Sequence, residues 1–155
     1  MPPGSVHIND MSQDTYAQDY IAISQVKAQY CRFLDSKDWA AYTNLFTEDL
    51  ELDVPGGAPV IRGRDAAIKS IRSAVEHAKT AHQVHQAEMQ IEGDVANVIW
   101  AMQDRVIWGP DRTSMPESGH TGYGNYRERY VRRSGRWQIA ALKLTYLVYD
   151  AYPCT

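Results

Sequence analysis

Cysteine is scarce in this chain: Cys31 and Cys154 are the only two among 155 residues. Two cysteines make no disulfide framework, and a bridge is not expected between one inside a helical pattern and one in the tail. Neither Cys-x-x-Cys nor a cysteine–histidine zinc pattern occurs, so no metal is expected. No segment approaches the roughly 20 apolar residues of a membrane span, and the opening MPPGSVHINDMSQD lacks the apolar core of a secretion signal. A cytoplasmic protein with no membrane partner is the expectation. Basic charge is also in short supply. With 16 Lys and Arg against 19 Asp and Glu, the net charge is −3 and the signs are mixed along the chain. That argues against nucleic acid as the main partner, because phosphate binding needs a concentrated basic surface. The one basic cluster, RERYVRR at 127–133, alternates its arginines with Tyr126, Glu128 and Tyr130 and fits a strand with one charged face.

What is present fits one domain that buries its own core. The apolar share is 44% and the charged share 23%, ordinary for a globular chain of this length. Residues 1–14 carry Pro, Gly and Ser and read as a flexible arm, with the domain running over 15–151. From about Tyr16 the pattern is helical: Ile23, Val26, Tyr30, Phe33 and Leu34 make one stripe, ending near Asp35-Ser36-Lys37. Asp38 is placed to cap a second helix carrying Trp39, Tyr42, Leu45 and Phe46. A short strand is expected over 49–54, a turn over 55–59, and a third helix capped by Asp65 with Ile68, Ile71 and Val75 on one face. After residue 80 the period changes to two. Strands are expected at about 80–91, 95–108, 122–133 and 136–149, with hairpin turns at 92–94 and 134–135 and a long polar loop over 109–121. Helices first and long strands after predict an α+β fold, with N-terminal helices wrapping a curved antiparallel sheet and a pocket between the layers.

A few residues in this frame have chemistry to offer. Asp35 stands at the end of the first helix, where the dipole repels negative charge, so it either faces water or takes a partner such as an imidazole. His82 and His85 point to opposite faces of an extended strand unless a bulge intervenes, and at that spacing they make a poor metal pair. Trp100, Met102, Asp104, Val106 and Trp108 share a face on which Asp104 is the one charge; it is either paired to an arginine or functional. On the last strand Gln138, Leu142, Leu144, Tyr146 and Val148 form one face, and Trp137, Ile139, Lys143, Thr145 and Tyr149 the other.

The stretches YCRFLDSKDWAAYTNLFTEDLELD, GRDAAIKSIRS, TAHQVHQAEMQIEGDVANVIWAMQDR and RYVRRSGRWQIAALKLTYL, spanning roughly residues 16–150, resemble the SnoaL-like branch of the nuclear-transport-factor-2-like superfamily. The pattern is most similar to its bile-acid dehydratase, with scytalone dehydratase and the hexachlorocyclohexane dehydrochlorinase more distant. The resemblance implies a cone-shaped, cystatin-like α+β barrel with a hydrophobic pocket and assembly into dimers or trimers. It implies a cofactor-independent lyase in which His82 is the base, Asp35 its partner, Tyr30 a hydrogen-bond donor to the substrate carbonyl and Asp104 an aid to the leaving group. Phe33, Trp39, His85, Trp100, Met102 and Tyr146 are the residues expected to line the substrate site. The bile-acid enzyme has an arginine where Tyr146 stands here, so the catalytic pair carries over and the bile-acid substrate does not. The expected substrate is hydrophobic and cyclic. The same pocket would also suit a ketosteroid-isomerase-like isomerase or a polyketide cyclase, and the superfamily also contains non-catalytic binding and assembly modules.

Overall fold

The computed structural model describes residues 8–109 and 117–153. Three helices, α1 (Ile8–Ser36), α2 (Trp39–Thr43) and α3 (Arg64–Val75), accompany six strands, β1 (Phe46–Asp53), β2 (Ile61–Arg62), β3 (Lys79–Glu92), β4 (Val95–Ile107), β5 (Glu117–Arg133) and β6 (Arg136–Pro153). The strands form one sheet in the order β2-β1-β6-β5-β4-β3, curved and unclosed, with β2 and β3 as its edges. Every neighbouring pair is antiparallel except β1 and β6, which run parallel, so the sheet is mixed. A hairpin can join only antiparallel neighbours; β1 meets β6 from far along the chain and is free of that constraint.

Helix α1 packs against β3 and β6 and α3 against β1 and β2, so the helices cover the inner face of the sheet. The stripe read from the sequence is the buried one, but it is wider than its apolar members. Asp19 and Lys27 are buried on it beside Ile23, Tyr30 and Leu34. Asp19 anchors the helix to the β5–β6 hairpin by accepting from Arg132 at 2.6 Å and from the Trp137 indole at 3.0 Å. Lys27 is fully buried, bonded to Glu128 at 2.6 Å with its ammonium over the rings of Tyr30 and Tyr126. Glu128 also accepts from Tyr130. Arg127 and Arg129 face outward as the alternation at 127–133 implies, while Glu128 carries its charge into the core.

Several boundaries differ from the sequence reading. Helix α1 already runs at Ile8, before the apolar stripe begins. Asp38 does cap α2, accepting from the Ala41 amide, but that helix ends at Thr43, and Phe46 opens β1 instead of extending the helix. The N-cap of α3 is Gly63, at φ +93° and without a side-chain bond, so Asp65 lies inside the first turn. Strand β5 begins at Glu117, within the expected loop, whose residues 110–116 lie outside the described ones. The short strand β2 has no sequence signal.

Bulges account for the largest departure. Between Arg129 and Tyr130, and again between Tyr123 and Gly124, the register with β6 slips by one residue, at Ala140 and Leu147. Each extra residue reverses the alternation. Trp137 and Ile139, then Leu142, Leu144 and Tyr146, and then Tyr149 therefore all turn toward the same inner face. A strict period of two had divided them between two faces.

Candidate active site

The site forms where the C-terminus of α1 meets the start of β3. Asp35 is in the last turn of α1, at the negative end of the helix, and three donors compensate for that placement. The His82 ring Nδ1 lies 2.7 Å from Asp35 Oδ1, the His82 amide donates to Oδ2 at 2.8 Å, and Thr80 Oγ1 donates to Oδ1 at 2.9 Å. Burial pushes the Asp35 carboxyl up, but the His82 ring, its amide and Thr80 together outweigh it and hold the group below the usual carboxylate range. A carboxylate oxygen accepts only, so Nδ1 carries the hydrogen and the neutral ring keeps its lone pair on Nε2. Among the described residues nothing hydrogen-bonds to Nε2. Behind Asp35, Lys37 Nζ donates to Thr80 Oγ1 at 2.7 Å and to the Leu34 carbonyl at 3.2 Å.

His82 faces Asp104 directly across the β3–β4 pair, so both side chains project from the inner face. Opposed residues in such a pair have Cβ atoms about 5 Å apart. Asp104 is 2% exposed. Its Oδ2 accepts from the Tyr146 hydroxyl, while Oδ1 makes no hydrogen bond and has His120 Nε2 as a neighbour at 3.4 Å. His120 Nε2 is also 3.3 Å from the Tyr146 hydroxyl, and its ring stacks on Tyr149. Burial, then the charge of Asp104, raises the Tyr146 hydroxyl far above the ordinary tyrosine range, so Tyr146 stays a neutral donor. Gly122 makes this arrangement possible. It pairs with Asp104 on the adjacent strand, and a Cβ there would stand 2.6 Å from Asp104 Oδ1 and inside the space of the Tyr146 ring.

The expected site residues therefore fall into three groups. Asp35 and His82 are in contact, and Asp104 with Tyr146 lies beside them. Met102 and Trp100 follow Asp104 along the inner face of β4 and are buried, while Phe33 and Trp39 are half-buried against the edge of the core. Tyr30 belongs to a separate cluster: its ring is under Lys27 and packs against Tyr42, Phe46 and Tyr126. Burial and then the charge of Asp104 raise the Tyr126 hydroxyl in that cluster. His85 leaves the inner face. One extra residue lies between Val84 and Ala87, where His85 and Gln86 are both exposed, and Ala87, Met89 and Ile91 then face inward. The bulge that would have turned both histidines inward instead places His85 outside. Among the described residues no three His, Cys, Asp or Glu side chains converge as metal ligands, and no described helix is long and apolar enough to cross a membrane.

Sequence reasoning missed His120, Thr80, Lys37 and Gly122. Only Gly122 gave a signal, as a glycine inside a strand, which often marks a close approach of another group.

Solved structures with this architecture share little sequence with the chain. A candidate scytalone dehydratase from Novosphingobium aromaticivorans DSM 12444 superposes with a TM-score of 0.80 at 21% identity, over 92% of this chain and 93% of its own. The hexachlorocyclohexane dehydrochlorinase of Novosphingobium barchaimii LL02 gives 0.74 at 16% identity, over 90% and 93%. An NTF2-like protein with a cystatin-like fold from Novosphingobium aromaticivorans gives 0.71 at 22%, over 93% and 92%. At these identities the likeness establishes the fold. The family model described as SnoaL-like domain matches residues 15–143, from the first helix to the middle of β6, and the chain belongs to that family.

Proposed function

We propose that the chain is a cofactor-independent lyase that removes a proton beside a carbonyl of a hydrophobic, cyclic substrate and expels a hydroxyl or similar leaving group. The observation that carries this reading is the 2.7 Å contact between Asp35 Oδ1 and His82 Nδ1, which leaves Nε2 as the acceptor on the inner face. In this reading Nε2 takes the proton, Asp35 stabilises the imidazolium that forms, and the imidazolium returns that proton to the departing hydroxyl, which leaves as water. Asp104, held by Tyr146 on the other side of His82, orients the hydroxyl of the substrate by accepting from it. Tyr30, buried under Lys27 in its own cluster, takes no part in the substrate contacts of this reading. The dehydratase and dehydrochlorinase names among the structural neighbours support elimination as the reaction class. The protein acts as a homo-oligomer, dimer or trimer, through the outer sheet face, where Ile107, Tyr123 and Val148 are exposed.

The test is a panel of cyclic β-hydroxy ketones incubated with the protein in D2O, followed by mass spectrometry and enone absorbance. Elimination should proceed with the wild type and fall by at least ~100-fold in His82→Gln. Deuterium uptake with the hydroxyl retained would indicate the isomerase reading, and equal turnover by His82→Gln and Asp35→Asn would remove the dyad from the mechanism.

A further inference from the structure

We infer that Thr80 and Lys37 are positioning residues of this site: together they hold Asp35 in the orientation and charge state from which it can orient His82. The inference rests on the dyad reading above and extends it to two residues that touch no reacting atom.

The direction of the hydrogen-bond chain is fixed by chemistry. An ammonium has donors only, so in the 2.7 Å contact Lys37 Nζ donates and Thr80 Oγ1 accepts. The single Thr80 hydroxyl proton is then directed to Asp35 Oδ1, 2.9 Å away, the same oxygen that takes the His82 ring hydrogen. Three donors on two oxygens pin the carboxylate plane, and any rotation of Asp35 breaks all three.

The backbone supports the assignment. Lys37 lies at φ +60°, one of two described non-glycine residues in the left-handed region. That conformation is unfavourable for a side chain-bearing residue, which is why glycine is the usual residue just past a helix end. Here the turn carries the ammonium back toward the Leu34 carbonyl and Thr80, close to the carboxylate. Backbone strain beside a functional group, offset by contacts to the Thr80 hydroxyl that bonds that group and to the Leu34 carbonyl, points to a role for the side chain. The titratable neighbours of Asp35 are His82 on β3, Lys37 on the following turn and Cys31 one helical turn earlier, with Asp104 beyond His82 on β4. Of these, Lys37 is the one ammonium; burial lowers it, and the charge of Asp35 opposes that.

The test needs no substrate. Carboxyl 13C NMR follows the Asp35 titration in wild type, Thr80→Val, Thr80→Ser and Lys37→Gly. Glycine suits φ +60°, so Lys37→Gly keeps the turn and should leave thermal stability unchanged or raised. Thr80→Val and Lys37→Gly should each raise the Asp35 midpoint by about half a pH unit or more, and Thr80→Ser should restore it. A wild-type midpoint in either Thr80→Val or Lys37→Gly overturns the inference. Imidazole 15N shifts on the same wild-type sample keep the two readings apart: without a hydrogen on His82 Nδ1 the dyad itself fails, whatever the variants do.

Discussion

Replacing Gly122 by alanine adds a single methyl group, and the structure gives a definite consequence. The new Cβ would stand 2.6 Å from Asp104 Oδ1 and 2.7 Å from Tyr146 Cδ1, with Cε1 closer still. None of these separations can be kept, and Asp104 is confined within β4, so the Tyr146 ring must swing away. Its hydrogen bond to the buried carboxylate is then lost, which costs roughly 1.5–3 kcal/mol for a charged acceptor. Crowding from the added methyl contributes about 1 kcal/mol more. The expected destabilisation is therefore about 2.5–4 kcal/mol, large for the addition of one methyl group. The assay is urea denaturation of Gly122→Ala in wild-type and Tyr146→Ala backgrounds. Removing the ring vacates its space and the hydrogen bond together and leaves only the crowding against Asp104 Oδ1, so Gly122→Ala should cost about 1 kcal/mol in the second background, a strong non-additivity between touching residues. Equal costs in the two backgrounds would refute the reasoning.

Other residues give equally specific expectations. Lys27→Met leaves the Glu128 charge fully buried with only Tyr130 to serve it, so urea denaturation should show a loss of about 3–5 kcal/mol; Lys27→Met with Glu128→Leu should recover most of it. Burial pushes the Cys31 thiol up to about 11, only partly opposed by Lys27, so iodoacetamide should label it slowly at pH 8 and faster as the pH approaches 11. The Asp35 carboxyl lies below its unfolded value, so its contribution to stability is present above about pH 4 and is lost as pH falls through the folded value. The urea midpoint of the wild type should therefore fall more steeply between pH 5 and pH 2 than that of Asp35→Asn.

Much of the fold could be read from local pattern, because the features involved are local. The α1 stripe, the Asp38 cap, the change to a period of two after residue 80 and the turns around Gly93 and Gly135 each depend on a few neighbouring residues. The reading failed where distant chain segments decide the outcome. An extra residue at Ala140 or Leu147 leaves no mark on the alternation until the partner strand fixes the register, so Trp137 and Tyr149 were separated from Leu142 and Tyr146. Lys27 resembles a surface lysine until Glu128, 101 residues away, meets it inside. The site divides in the same way. Asp35 and His82 could be paired through resemblance, whereas Thr80 and Lys37 acquire a role only once β3 lies against the end of α1. His120 acquires one only once the bulges of β6 bring Tyr146 and Tyr149 to its ring. His85 shows the opposite case, a residue whose type invited a role and whose bulge turned it outward.

The central claim is that Asp35 makes His82 a base by fixing its hydrogen on Nδ1. Imidazole 15N NMR at a pH where the ring is neutral tests it directly, in wild type and in Asp35→Asn. In the wild type the carboxylate accepts from both Nδ1 and the His82 amide. In Asp35→Asn the amide oxygen is needed by the backbone donor, so the NH2 group faces Nδ1 and the hydrogen moves to Nε2. The account predicts a protonated Nδ1 and bare Nε2 in the wild type, the reverse in Asp35→Asn, and with the reversal a loss of turnover of ~100-fold or more. The same tautomer in both proteins would contradict it.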